Sequence, residues 1–278
     1  MAANPLSQIF SKEKLVDSTL LNKIGVQPFR IIMANLASQI RSKSEGNSLT
    51  DQINTLKEEG LLVISNFLPA EEFAKIKQEA MQLISDPANI SRVIKDGPNS
   101  LKVFDLTDQL ITKAPTLLNY FNNEKLLTLF GSTTKKGIKP ENIVKWLEVL
   151  EQGEGNRHAD TQTHMHSDTY YDTYKAWLYL EDITLNKAPF AYVKSTQKVN
   201  MARLRYDYKN SISERPSPSR RITEEEINQR ALKETIVTCK ANTLAMANTF
   251  GYHRRLEGES GNSRIALYTS VRFHPFKL

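Results

Sequence analysis

The sequence predicts a mainly β fold with flanking helices, a double-stranded β-helix of the jelly-roll, cupin-like class. Two patterns predict it. Helical periodicity is gathered in the first half of the chain, whereas from Asn142 onward short apolar runs alternate with turn residues. An antiparallel double sheet closed by helices buries both patterns at once. The 278 residues are enough for one large β-rich domain, and 40% apolar with 24% charged residues is ordinary globular composition.

Taken in order, residues 1–50 read as an N-terminal helical extension. Its one amphipathic stretch, Pro28 to Ile40, has apolar residues at helical spacing and reads as a helix packed outside the core, or as a partner-binding or dimerising one. Residues 51–278 then form the jelly-roll domain. Asp51–Gly60 is a helix ended by glycine, Leu61–Phe67 a buried strand, and Leu68-Pro69-Ala70-Glu71-Glu72 opens a helix with acidic residues where the helix dipole favours them. Between 86 and 140 the signals are a turn at Asp96-Gly97-Pro98-Asn99 and a helical stretch around Ala114–Phe130. Strands follow at Asn142–Glu151, around His166-Ser167-Asp168, and at Tyr174–Leu180, Phe190–Val193, Thr235–Cys239, Thr243–Ala247 and Arg264–Phe273. An insertion at about 200–233 interrupts them with Arg203, Arg205, Arg215, Arg220 and Arg221 and a helix start at Thr223–Glu226 of capping-box spacing. Such an insertion is expected to run over the barrel mouth as a lid.

Composition excludes several classes. No apolar run approaches a membrane span, and the N-terminus lacks a basic region followed by an apolar one. The single cysteine, Cys239, rules out an intramolecular disulfide, so the expected compartment is a reducing cytoplasm. The net charge of +6 is scattered among 31 acidic residues, which reads as a solvated surface and gives no basis for nucleic-acid binding.

The chemistry centres on His166-Ser167-Asp168. Side chains two apart on a strand leave the same face, so His166 and Asp168 offer a nitrogen and a carboxylate oxygen to one metal. A third ligand is needed, and the histidines left downstream are His253 and His274. His253 fits better, because it follows an apolar strand and stands eleven positions before Arg264. Two imidazoles and one carboxylate on one face of an octahedral metal leave three positions open, which suits a non-heme iron(II) that must take further ligands. His164 and Gln162 share the strand face of His166, either lining the pocket or turning outward, while His158 and His274 read as structural or solvated.

On these residues the chain resembles the phytanoyl-CoA dioxygenase family of iron(II)- and 2-oxoglutarate-dependent oxygenases, over roughly residues 50–275. The resemblance implies that His166, Asp168 and His253 ligate Fe(II), that Arg264 binds the far carboxylate of 2-oxoglutarate, and that Trp177, in Ala176-Trp177, lines the cosubstrate pocket. An arginine suits that carboxylate because its planar fork stays charged. It also implies O2 as oxidant, a small-molecule substrate, and hydroxylation or another oxidation of an unactivated C–H bond with release of succinate and CO2. Asp168 argues against halogenation, which needs a small residue there. Three turns depart from the family pattern: Asn186-Lys187-Ala188, Lys194-Ser195-Thr196 and Ala241-Asn242 stand where glycine is usual, which puts local turn geometry in question. The arginines of 203–221 read as a solvated lid or as partners of an anionic substrate. Two other functions fit the same ligands: a cupin-type metal enzyme that does not use 2-oxoglutarate, and a binding protein with a vestigial site.

Overall fold

Two antiparallel sheets face each other across the site. The computed structural model describes residues 5–42, 49–134, 137–156, 159–214 and 220–277. The N-terminal helices are α1 (Pro5–Gln8), α2 (Thr19–Lys23), α3 (Val26–Arg41) and α4 (Thr50–Glu59), followed by strand β1 (Leu61–Ile64) and helix α5 (Ala70–Ser85). Next come a hairpin of β2 (Arg92–Asp96) and β3 (Asn99–Asp105), helices α6 (Asp108–Ile111), α7 (Pro115–Phe121) and α8 (Glu124–Gly131), and strands β4 (Val144–Glu151), β5 (Thr173–Tyr179) and β6 (Phe190–Tyr192). The insertion supplies α9 (Met201–Ile212) and α10 (Glu224–Gln229), and β7 (Thr235–Ile236), β8 (Thr243–Asn248), β9 (His253–Arg255) and β10 (Ser263–Arg272) complete the chain. The large sheet runs β1-β8-β5-β10-β4-β3-β2 and the small one β7-β6-β9.

Period-two alternation sorts the large sheet's faces. Phe104, Leu147, Ala176, Leu178, Met246 and Leu267 pack on Ile76, Ala80, Leu117, Leu126 and Leu129 of α5, α7 and α8, forming the main core. The opposite face carries Trp177, Tyr179, Ala245, Ala247 and Ala266 against Phe190 and Tyr192 of β6. Three alanines on that face leave room between the sheets, and the cavity lies there. This is the expected jelly-roll arrangement.

The elements depart from expectation in five places. The stretch after Leu61 leaves the sheet at Ile64 and does not run on to Phe67, and the one from Thr235 is a two-residue strand plus a bridge from Cys239 to Ile183. The β2–β3 hairpin was not anticipated beyond its turn. The helical stretch 114–130 is two helices, because the Asn123 side chain accepts from the Leu126 N–H and caps a new start. Finally, His166 lies on no extended strand; it forms a single bridge with His253.

The extension is tied to the site from behind. Arg30 of α3 is fully buried, donates to the carbonyls of Ile9, Ser11 and Glu13, and lies 4.0 Å over the Tyr170 ring. Tyr170 follows Asp168 by two residues, so α3 supports the ligand segment through that ring.

Candidate metal centre and cosubstrate pocket

His166 and His253 exchange both backbone hydrogen bonds, each 2.9 Å, which sets the two imidazoles side by side with ring centroids 4.5 Å apart. The Asp168 N–H donates to the Thr249 carbonyl (3.0 Å), so the carboxylate is fixed to the same β8–β9 connection that delivers His253. Gly251 is required in that connection, since a Cβ there would stand 1.9 Å from the Tyr192 hydroxyl oxygen. Its carbonyl accepts from His253 Nδ1 (2.9 Å), and the His164 carbonyl accepts from His166 Nδ1 (2.8 Å). Both Nδ1 atoms are therefore spent on carbonyls, and both Nε2 lone pairs point inward.

Those Nε2 atoms lie 3.8 Å (His166) and 3.7 Å (His253) from Asp168 Oδ1, and one ligand atom from each residue falls within 4.8 Å of the others. Burial, and next the facing His253, push the His166 imidazole down to about 3, so it is neutral and able to ligate. Burial alone would raise Asp168, but Lys175 and the two imidazoles outweigh it and hold the carboxyl well below its usual range. Lys175 Nζ is 2.7 Å from Asp168 Oδ2, which leaves Oδ1 for the imidazole side. Two imidazole nitrogens and one carboxylate oxygen form the donor set that iron(II) takes facially.

A cavity of 190 Å³ opens from the two histidines and is lined by Glu148, Lys175, Trp177, Tyr179, Arg255 and Arg264 among others. That is small beside drug-sized pockets and suits a short dicarboxylate. Register explains the lining: Ala266 pairs with both Glu148 and Tyr179, so Arg264, Ala266 and Tyr268 share a face with Glu148 on β4 and with Lys175, Trp177 and Tyr179 on β5. Arg264 donates to the Ala188 carbonyl, which anchors its guanidinium at the cavity's far end. The Tyr179 hydroxyl is buried without a hydrogen-bond partner. An orphaned donor beside a guanidinium is what a bound carboxylate would satisfy. Trp177 lines the cavity with its ring 5.0 Å from that of Phe190.

Glu148 is the unexpected member. Burial raises its carboxyl to about 7, against the pull of Arg264, Lys175 and the Trp177 indole. Lys175, Tyr179 and Glu148 escaped sequence reasoning, although the alternation Lys175, Trp177, Tyr179 was a signal that one face of β5 shares the Trp177 environment. Of the other candidates, Gln162 lines the cavity, while His164 is exposed and its carbonyl accepts from His166 Nδ1. His274 accepts from the Phe276 N–H near the C-terminus, and His158 and Arg215 lie outside the described residues.

The insertion differs most from expectation. Arg203 and Arg220 are buried away from solvent, whereas Arg205 is exposed as a solvated arginine would be. Arg203 donates to the Thr196 carbonyl (2.6 Å) and to Ser167 Oγ (3.0 Å), and Arg220 Nε donates to the same oxygen (3.3 Å). Asp207 pairs with both arginines. Ser167 stands between His166 and Asp168, so α9 holds this segment from behind. At the departing turns, Ala188, Ser195 and Asn242 keep left-handed backbone with φ of 50°, 64° and 62°. The geometry glycine would supply is present without glycine.

The sequence profile of the phytanoyl-CoA dioxygenase family matches residues 56–240, which include His166 and Asp168 and stop short of His253 and Arg264. Among solved structures the fold is similar to the epimerase SnoN in complex with Fe3+, alpha ketoglutarate and nogalamycin RO, with TM-score 0.54 and 12% identity over 80% of this chain and 82% of that one. It is similar also to the non-heme alpha ketoglutarate dependent carbocyclase SnoK from nogalamycin biosynthesis (0.51, 12%, covering 82% and 85%). A third is a prolyl 4-hydroxylase structure from Phytophthora capsici (0.51, 12%, covering 87% and 64%). A search of curated proteins finds none that matches. At these identities the likeness is one of fold. No helix among the described residues is long and apolar enough to cross a membrane.

Proposed function

The chain belongs to the phytanoyl-CoA dioxygenase family, and on that premise we propose that it is an Fe(II)- and 2-oxoglutarate-dependent dioxygenase that oxidises a C–H bond of a small molecule. The observation that carries this is the convergence of His166 Nε2, His253 Nε2 and Asp168 Oδ1 at the mouth of a cavity whose far end holds Arg264 and the orphaned Tyr179 hydroxyl. When bound, iron with O2 and the 2-oxo acid supplies the oxidising power, and succinate and CO2 are released.

The chain's own residues do the rest. The two Nδ1–carbonyl bonds fix the imidazole tautomers, and Lys175 orients Asp168 by holding one of its oxygens. Arg264 and Tyr179 receive the distal carboxylate, and Trp177 and Phe190 wall the pocket against water. In this assignment residues 51–278 are the oxygenase domain, 1–50 a helical extension, and the insertion at about 200–233 backs the ligand segment. The substrate itself carries an anionic group. Arg272 shares the strand face of Arg264 at the opposite end of β10, next to Lys175, and supports that assignment in place of the buried arginines.

The test is anaerobic titration of Fe(II) and 2-oxoglutarate, read by the visible charge-transfer band, followed by succinate formation in air. Arg264→Ala removes a charged two-bond contact and should weaken 2-oxoglutarate binding roughly a hundredfold. Fe(II) binding with neither a charge-transfer band nor succinate on addition of 2-oxoglutarate would mean a cupin-type enzyme that needs no 2-oxoglutarate, and succinate formation undiminished in Arg264→Ala would remove Arg264 from the cosubstrate site. A protein whose melting temperature ignores Fe(II) or Mn(II) would mean a binding protein with a vestigial site.

A further inference from the structure

Helix α3 has two faces of opposite use. Its inner face, Gln27, Arg30, Ile31, Ala34, Ala37 and Arg41, is buried, with Ile31 and Ala34 packed beside Tyr170, Tyr171 and Phe250 and Arg30 over the Tyr170 ring. Its outer face carries Phe29, Ile32, Met33, Leu36 and Ile40, and the neighbouring α2 end adds Leu20 and Ile24. These seven are between 37% and 71% exposed. At roughly 150–200 Å² for a large apolar side chain, the open apolar surface is on the order of 600 Å². Monomers rarely leave more than this uncovered, and a standard interface buries about 800 Å² per partner.

We propose that this face is the interface of a homodimer, with α3 packed antiparallel on the α3 of a second copy. Three observations favour a second copy over other occupants. Phe29, Met33, Leu36 and Ile40 follow the 4-3-4 spacing of a helix-pairing seam. A two-fold axis between positions 33 and 36 sets Met33 opposite Leu36 and Phe29 opposite Ile40, each large apolar residue meeting another, as a self-complementary contact requires. The two charges of α3, Arg30 and Arg41, are both buried, and the α2 end adds Lys23 alone, too little positive charge to grip lipid headgroups. Because the inner face of the same helix backs Tyr170 and Tyr171, dimerisation would brace the ligand segment of each copy.

Sedimentation velocity of the full chain across a concentration series tests this. The expected species has twice the 31.6 kDa chain mass. Leu36→Glu should raise the dimer dissociation constant at least about a hundredfold, since it buries two unpaired carboxylates at the centre of the contact. The double variant Met33→Glu, Leu36→Lys should restore dimers, because an antiparallel seam places each glutamate opposite the partner's lysine. Circular dichroism melts of each variant verify that the surface changes leave the fold intact. A wild-type monomer at every concentration overturns the proposal, and one that also floats with phosphatidylcholine/phosphatidylserine vesicles assigns the face to a lipid surface instead. Dimers unaffected by Leu36→Glu would place the contact elsewhere and equally refute it.

Discussion

Replacing Arg203 with methionine keeps most of the side chain's volume and deletes its charge and donors. Two bonds from a charged donor are lost, to the Thr196 carbonyl and to Ser167 Oγ, together with the guanidinium's stacking 3.9 Å over Phe250. Each such bond contributes roughly 1.5–3 kcal/mol. Against this, Arg220 loses a repulsive neighbour while keeping Asp207, which returns about 1 kcal/mol. The net loss is about 3 kcal/mol, a large share of the 5–15 kcal/mol that holds a domain folded. Urea denaturation of the metal-free protein measures it. A second consequence separates this account from generic damage to the core: Ser167 lies between His166 and Asp168, so Mn(II) affinity should fall about tenfold, as for other residues that orient metal ligands. Ser167→Ala removes the common acceptor and should reproduce the affinity loss with a stability cost of about 1–3 kcal/mol. Arg203→Met within 1 kcal/mol of wild type, or with unchanged Mn(II) affinity, would refute the bracing role.

Two further expectations concern residues that break a local rule. Glu148 has a carboxyl raised to about 7 in the folded state from 4.5, so between these values the native protein holds a proton that the unfolded chain has released. Stability therefore falls as pH rises through that window, by roughly 3 kcal/mol in total, and Glu148→Gln should flatten that slope, which urea melts at pH 5 and pH 8 would reveal; an unchanged slope would mean that the carboxyl is ionised throughout. Ala188 sits at φ 50° with its carbonyl on Arg264, so Ala188→Gly should gain roughly 0.5–1 kcal/mol, about 2 °C in melting temperature, while 2-oxoglutarate affinity stays the same; a lower melting temperature would show that the turn holds no such strain.

The jelly-roll and the clustering of His166, Asp168 and His253 were readable because each rests on a short-range rule. His166 and Asp168 are two apart, His253 follows the apolar run of β8, and Arg264 opens the last long strand. What stayed hidden depends on register or on burial of charge. Lys175, Tyr179 and Glu148 converge only because β10 lies between β4 and β5 with Ala266 opposite both neighbours. The β2 strand shows no alternation, since Val93 and Ile94 are both exposed on the sheet's edge. Arg203 and Arg220 looked solvated because arginines usually are, and nothing local marks the exception.

That exception bears on how a metal site survives without a strand. His166 has one bridge and Asp168 one backbone bond, which is little to hold ligands against thermal drift. The shortfall is made up by groups far away in sequence: Arg30 under Tyr170 from the extension, and Arg203 and Arg220 on Ser167 from the insertion. Buried charge is a costly way to stabilise a fold, and it is retained where it fixes one geometry. Stability and metal affinity should therefore fall together when Arg203 is replaced, whereas at Ala188, which touches no ligand segment, stability alone should move. A common response at both positions would mean that these arginines merely fill the core.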